Sequence, residues 1–90
     1  MEFAWDPEKA AANQRKHGVT FQEGATVLGD PLAITFADPD HSVSEQRYIT
    51  FGLSRRNRLL VVSHLDRGGR IRIMSARSMT RRERRIYEEG

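Results

Sequence analysis

The sequence predicts an α+β fold: two N-terminal helices, a small antiparallel sheet of about four strands, and a closing helix. Three observations carry this. Helix-start signals stand at Asp6-Pro7, Thr20 and Thr80. Between residues 32 and 76 the apolar period shortens to that of strands broken by tight turns. Helical and strand patterns are segregated along the chain, which favours α+β over alternating α/β order. Ninety residues suit one domain, residues 1–90, with a modest core.

Glu2 to Trp5 is a short apolar stretch that suits an edge strand. Asp6 then offers an N-cap, Pro7 sits at the first helical position, and Glu8 lies where the helix dipole favours an acid. This helix runs to Lys16-His17, with Gly18 as its left-handed terminator. Thr20 to Glu23 reads as a capping box opening a second helix with Phe21, Ala25 and Leu28 turned inward. Gly29-Asp30-Pro31 ends it. Leu32–Phe36 is a strand, Asp38–Ser42 a loop, and Arg47–Phe51 a strand with Ile49 and Phe51 on one face. Arg55–Arg58 is a turn. Leu59–Leu65, nearly all apolar, suits a central strand. Asp66–Gly69 is a hairpin turn before the strand Ile71–Ala76. Thr80 to Glu83 is another capping box, and the helix it opens reaches Glu89.

Charge is the most informative property. Residues 1–45 hold Lys9, Arg15 and Lys16 against eight acids, a net of −5. Residues 46–90 hold twelve basic side chains against four acids, a net of +8, and all twelve are Arg. Solubility does not select Arg over Lys. The planar guanidinium fork binds phosphate bidentately and stays charged at any working pH. An all-Arg half therefore points to an anion held in a defined geometry, with a nucleic-acid backbone as first candidate. There is no cysteine, which excludes disulfides and thiolate metal sites and fits the cytoplasm. The N-terminus lacks the pattern of a signal peptide, and no apolar run approaches the ~18 residues of a membrane span. Walker, dinucleotide, zinc-protease and RNP patterns are missing, so no cofactor or metal is expected.

Strand parity places Arg72 on the face opposite Ile71 and Ile73. Arg77 shares the parity of Ile71 unless a bulge near Met74-Ser75 shifts it. His64 lies in a strand apolar on both faces, so parity leaves its direction open. Arg47, Arg58, Arg72 and Arg77, with or without His64, would form an anion platform. RNA carries its own nucleophile, the 2′-hydroxyl. Cleaving it without metal requires removal of that proton, charge stabilisation on the phosphorane and a proton for the leaving 5′-oxygen. Arg serves the second need; His, or a tuned Tyr, serves the others. Each residue also has a plainer reading. His17 is a helix C-terminal cation, His64 a core histidine, and His41 beside Asp38 and Asp40 a solvated loop. Arg81 to Arg85 form a solvated helix face, Arg55 to Arg58 turn charges, and Trp5 a core residue.

The ordered set Phe3-x-Trp5-Asp6-Pro7-x-Lys9, Asn13-x-x-Lys16-His17-Gly18-Val19-x-Phe21, Asp30-Pro31, Glu45-x-Arg47, Gly52, Arg58-Leu59-Leu60, His64, Ile71-Arg72-Ile73, Ser75-Ala76-Arg77 and Glu83-x-x-x-Tyr87 resembles the BrnT family of toxins. It spans nearly the whole chain; Met74 stands where Ile or Val is expected. The resemblance implies a RelE-like fold with helices on one face of a small sheet. It implies a ribonuclease of a type II toxin–antitoxin module that arrests translation. The implied partner is a BrnA-type antitoxin with a ribbon-helix-helix domain, whose complex with the toxin binds operator DNA. By the same resemblance Arg77 stabilises the scissile phosphate and Tyr87 transfers a proton. His64 and His17 are candidate acid or base, and Lys16, Arg47, Arg58, Arg72 and Arg81 hold the RNA backbone. The alternative is a non-catalytic nucleic-acid-binding or antitoxin-docking module.

Overall fold

A computed structural model describes residues 1–38 and 46–90. The elements run β1 (Glu2–Ala4), α1 (Pro7–His17), α2 (Phe21–Val27), β2 (Ile34–Ala37), β3 (Arg47–Leu53), β4 (Leu59–Arg67), β5 (Arg70–Ser78) and α3 (Arg81–Glu89). Most of the expected loop at Asp38–Ser42, His41 included, lies outside the described residues.

The helices begin where the sequence predicts. Asp6 caps α1 through the Glu8 N–H at 2.8 Å, and Gly18 closes it at φ +68°, its N–H bonded to the Gln14 carbonyl. Thr80 and Glu83 form a full capping box on α3. The box at α2 is only half made. Thr20 accepts from the Glu23 N–H, but the Glu23 carboxylate turns into the protein, where Ser54 and Arg58 engage it. A cation and a hydroxyl displace the weaker backbone partner that a capping box supplies. The inward face of α2 also differs from expectation. It buries Phe21, Gly24 and Val27, with Ala25 half-exposed. Gly24 lets α2 approach the sheet: a Cβ there would meet the Ala76 Cβ at 3.0 Å.

The sheet order is β1-β5-β4-β3-β2, so β4 is central as its continuous apolar run predicts. The expected all-antiparallel, four-stranded sheet needs correction. There are five strands, and β1 pairs in parallel with β5, Phe3 beside Ile71. A parallel partner nearly seventy residues away leaves no mark in local sequence. The β4–β5 hairpin is tighter than expected. Arg67 pairs with Arg70, and Gly68 and Gly69 turn at φ +57° and +80°, the left-handed pair a two-residue hairpin requires.

Helices α1 and α2 cover one sheet face. The main core lies there, with Val19, Phe21, Val27, Leu60, Val62, Ile73 and Ala76 buried and Trp5 packed edge-on against Phe21. A smaller cluster of Phe51, Val61 and Met79, with Tyr87, lies under α3 on the opposite face. Helix α3 buries no residue fully, and Ile86 remains 39% exposed.

Between the end of β1 and the end of β5, the β5 edge has no strand beside it. Asn13, buried on α1, fills that gap. Its Oδ1 accepts from the Ala76 N–H at 3.1 Å, and its Nδ2 donates to the Ala76 carbonyl at 2.8 Å and to the Val19 carbonyl at 2.9 Å. One side-chain amide thus supplies both bonds that a neighbouring strand would offer Ala76.

Candidate nucleic-acid interface

The sheet face away from α1 and α2 is set by strand register. Arg47 on β3 lies beside Leu65 on β4, and Leu65 beside Arg72 on β5. Further along, Ile49 pairs with Ser63 and Ser63 with Ser75, and Val61 pairs with Arg77. Paired residues in a ladder point to the same side. Arg47, Arg72 and Arg77 therefore share this face with Ser63 and Ser75, and α3 is the only helix packed on it. Leu65 is 4% exposed although no helix lies over it, because the methylene stems of the flanking arginines shield it.

A single bulge decides where Arg77 points. Ser63 pairs with Ser75 but His64 pairs with Ile73, so Met74 is an extra residue on β5. Without it, Arg77 would share the helix-covered face of Ile71 and Ile73; with it, Arg77 joins Arg72. The register shift anticipated near Met74-Ser75 is thus present.

The same register separates His64 from these arginines. His64 stands with Val62 on the helix side, 6% exposed, its ring stacked on Tyr48. Its Nε2 is 2.8 Å from the Thr50 hydroxyl, which is 2.8 Å from that of Thr35. Nδ1 is buried with no partner among the described residues. Burial lowers the His64 pKa, and the charge of Asp66 offsets this only in part. His17 ends α1 on that helix side too, and Lys16 is exposed beside it.

Two Arg–Glu pairs differ in what they leave available. Arg58 gives its side-on edge to Glu23: Nε donates to Oε2 at 2.8 Å and Nη2 to Oε1, while Nη2 also reaches the Gly18 carbonyl at 3.2 Å. Glu23 is 4% exposed in its side chain and also accepts from Ser54 at 2.7 Å. The Arg58 hydrogen bond holds the Glu23 carboxyl below its usual range, against the upward push of burial. Arg58 is therefore a tie between the β3–β4 turn and α2, on the other side of the sheet from Arg77. Arg77 instead gives Glu83 its end-on edge. Nη1 donates to Oε1 at 2.8 Å and Nη2 to Oε2 at 2.9 Å, and Nη1 also meets the Ser78 carbonyl. The Arg77 bond lowers the Glu83 pKa to about 2 although burial opposes it, and Glu83 in turn raises that of Arg77.

Tyr87 packs against the cluster under α3, and its hydroxyl donates to Asp30 Oδ2 at 2.6 Å. Asp30 also accepts from the Leu53 and Leu32 N–H groups. Burial pushes its carboxyl up, but these three bonds together bring it below its ordinary value. The bond to Asp30, with burial and the carboxylate's charge, raises the Tyr87 phenol to about 12. Arg81 is exposed on the first turn of α3.

Sequence reasoning assigned no role to Asn13, Glu23, Asp30 or Glu83, whose polar contacts hold these elements in place. Asn13 had a usable signal: a poor helix former in mid-helix, on the same face as Ala10. The partners of Glu23 and Asp30 lie more than twenty residues away and leave no such mark.

A curved sheet with helices on one face and a row of arginines on the other defines a small α+β protein built to meet a polyanion. Comparison with known proteins narrows that class. Residues 5–83 match the family described as the ribonuclease toxin BrnT of type II toxin–antitoxin systems, and the chain belongs to that family. The crystal structure of the Brucella abortus ribonuclease toxin BrnT is similar, with a TM-score of 0.71 and 23% sequence identity. The match covers 90% of this chain and 99% of that one. No curated protein matches the chain.

Proposed function

We propose that the chain is a single-domain, RelE-like endoribonuclease that cleaves RNA without a metal on the arginine face of its sheet. The observation that carries this reading is the convergence of Arg47, Arg72 and Arg77 from two strands onto one face, in a chain of a ribonuclease toxin family. Arg77 stabilises the phosphorane as charge grows on its oxygens, and Arg72 and Arg47 hold the flanking backbone. The 2′-oxygen attacks phosphorus, the 5′-oxygen departs, and the 2′-hydroxyl proton is ultimately balanced by protonation of the leaving oxygen. The products end in a 2′,3′-cyclic phosphate and a 5′-hydroxyl. Metal independence is supported by the side chains: no group of three or more His, Asp or Glu able to hold a metal occurs among the described residues.

Of the candidate proton carriers, Tyr87 is on the arginine side of the sheet; bonded to Asp30 and protonated to about pH 12, it serves as a donor. His64 and His17 lie on the helix side, and we assign His64 a core role. Lys16, on α1, and Arg58, committed to Glu23, are not placed to share a phosphate with Arg77; Arg81, exposed on α3, steers RNA toward the face. In the cell this activity arrests translation in the cytoplasm. A BrnA-type ribbon-helix-helix antitoxin neutralises it, and the complex binds operator DNA. Among the described residues no helix is long and apolar enough to cross a membrane.

Incubating purified protein with a structured RNA in excess EDTA tests the reading. Cleavage leaving 2′,3′-cyclic phosphate ends, lost in Arg77→Ala and Arg72→Ala variants that still fold, is expected. Tight, salt-sensitive binding with intact RNA, both free and on ribosomes, would instead make the chain a binding module.

A further inference from the structure

We infer that Glu83 is a positioning residue for the reaction: it grips the end-on edge of Arg77 so that the side-on edge is presented to the scissile phosphate. This deepens the ribonuclease reading above and rests on it.

A guanidinium has two edges able to bind an anion bidentately. The end-on edge is formed by Nη1 and Nη2, the side-on edge by Nε and Nη2. Glu83 occupies the first with two parallel bonds of 2.8 and 2.9 Å, and the Ser78 carbonyl takes the other Nη1 hydrogen at 3.2 Å. The Nε–H and the second Nη2–H then have no partner among the described residues. These two donors are parallel and spaced to fit two phosphate oxygens. Arg58 shows the opposite arrangement, with its side-on edge consumed by Glu23.

Glu83 can act this way because it is itself fixed. It is the third residue of α3, its Oε1 accepts the Thr80 N–H at 2.8 Å, and its own N–H bonds the Thr80 hydroxyl at 3.2 Å. The Arg77 orientation is thus set by a helix N-terminus rather than by a free side chain, and less rotamer entropy is lost when phosphate binds. A carboxylate with a pKa of about 2 stays ionised throughout the working range, which suits a fixed clamp and makes a poor proton acceptor. The carboxylate also opposes non-productive anions at the end-on edge, so phosphate meets Arg77 from one direction.

The test uses the full chain and steady-state cleavage of a short RNA. Glu83→Gln keeps a residue suited to the capping box but leaves Arg77 one oxygen acceptor and no charge. The expected result is a kcat lowered about 10- to 100-fold, as small misplacements of a catalytic group produce. KM is expected to stay level or fall, because a negative charge near the phosphate is gone. Thr80→Ala weakens the same helix cap without touching Arg77, and its kcat is expected to stay near the starting value. A Glu83→Gln enzyme with unchanged kcat, or with raised kcat/KM, overturns the inference; the latter would make Glu83 a competitor of the substrate. Equal kcat losses in Glu83→Gln and Thr80→Ala would reduce Glu83 to a helix cap and overturn it as well. If Arg77→Ala cleaves normally, the assignment of Arg77 itself fails, which the Glu83 variants alone would not show. The Arg77 Nε–H resonance gives a readout independent of cleavage. It is expected to be sharp in the native protein and in Thr80→Ala and broadened in Glu83→Gln; an equally sharp signal in Glu83→Gln refutes the clamp.

Discussion

Replacing Asn13 tests the join between the helical layer and the strand that carries Arg77. Asn13→Ala removes three hydrogen bonds and leaves the Ala76 N–H, the Ala76 carbonyl and the Val19 carbonyl without their side-chain partner. Each buried backbone group left unpaired costs about 1–3 kcal/mol, and water admitted by the smaller side chain recovers part of that. A total near 3–4 kcal/mol is a large share of the roughly 5–13 kcal/mol available to ninety residues. At ~4–8 °C per kcal/mol for a domain of this size, the melting point falls by about 12–30 °C. Asn13→Asp is expected to be worse than Asn13→Ala. It keeps an acceptor for the Ala76 N–H but sets an anion against two carbonyl oxygens. Urea unfolding followed by circular dichroism measures both variants, and hydrogen exchange of the Ala76 amide reads the broken bond directly. A loss below about 1 kcal/mol in Asn13→Ala, which is the worth of one ordinary hydrogen bond, would refute the surrogate-strand argument. An Asp variant as stable as the native protein at neutral pH would refute it independently.

Arg58→Ala strands the buried Glu23 carboxylate; a loss of about 2–4 kcal/mol is expected, with RNA cleavage kept in the folded fraction, and thermal melts beside activity assays check both. Gly52→Ala places a Cβ 2.8 Å from the Val27 Cγ1 and 3.2 Å from the Val27 carbonyl, both in the core; overpacking of this kind costs about 1–3 kcal/mol, read as a lowered urea midpoint at unchanged slope. The His64 pKa lies below its unfolded value of 6.5, so the unfolded chain binds the extra proton; stability is full above pH 6.5 and falls as the pH drops below it. Melting curves from pH 8 to pH 5 check this, and a flat profile between pH 6.5 and 5 would contradict a neutral, buried His64.

Much of the fold is legible because its signals are local. The Asp6, Thr20 and Thr80 caps, the Gly18 stop and the Gly-Gly hairpin are each decided within four residues. What was not legible depends on partners distant in sequence. The β1 strand was readable as an edge, but its parallel mate at Ile71 was not. Arg58 looks like a turn cation until Glu23, thirty-five residues earlier, is seen beneath it. The candidate site hung on one residue. Parity from Ile71 sends Arg77 to the wrong face, and only the unpaired Met74 restores it to the side of Arg72. A bulge has no reliable sequence signature, so strand alternation could state the alternatives but not choose between them.

The parallel β1–β5 pair has a consequence for how the protein comes into being. A chain leaving the ribosome presents Glu2–Ala4 and the Asn13 helix long before residues 70–76 exist to receive them. Until then α1 has no β5 to rest on, and the row of Arg47, Arg72 and Arg77 is incomplete. Contacts of such long sequence separation form late and together. The surface that would engage RNA therefore arrives in one step, at the end of synthesis, and no shorter nascent fragment carries a working part of it.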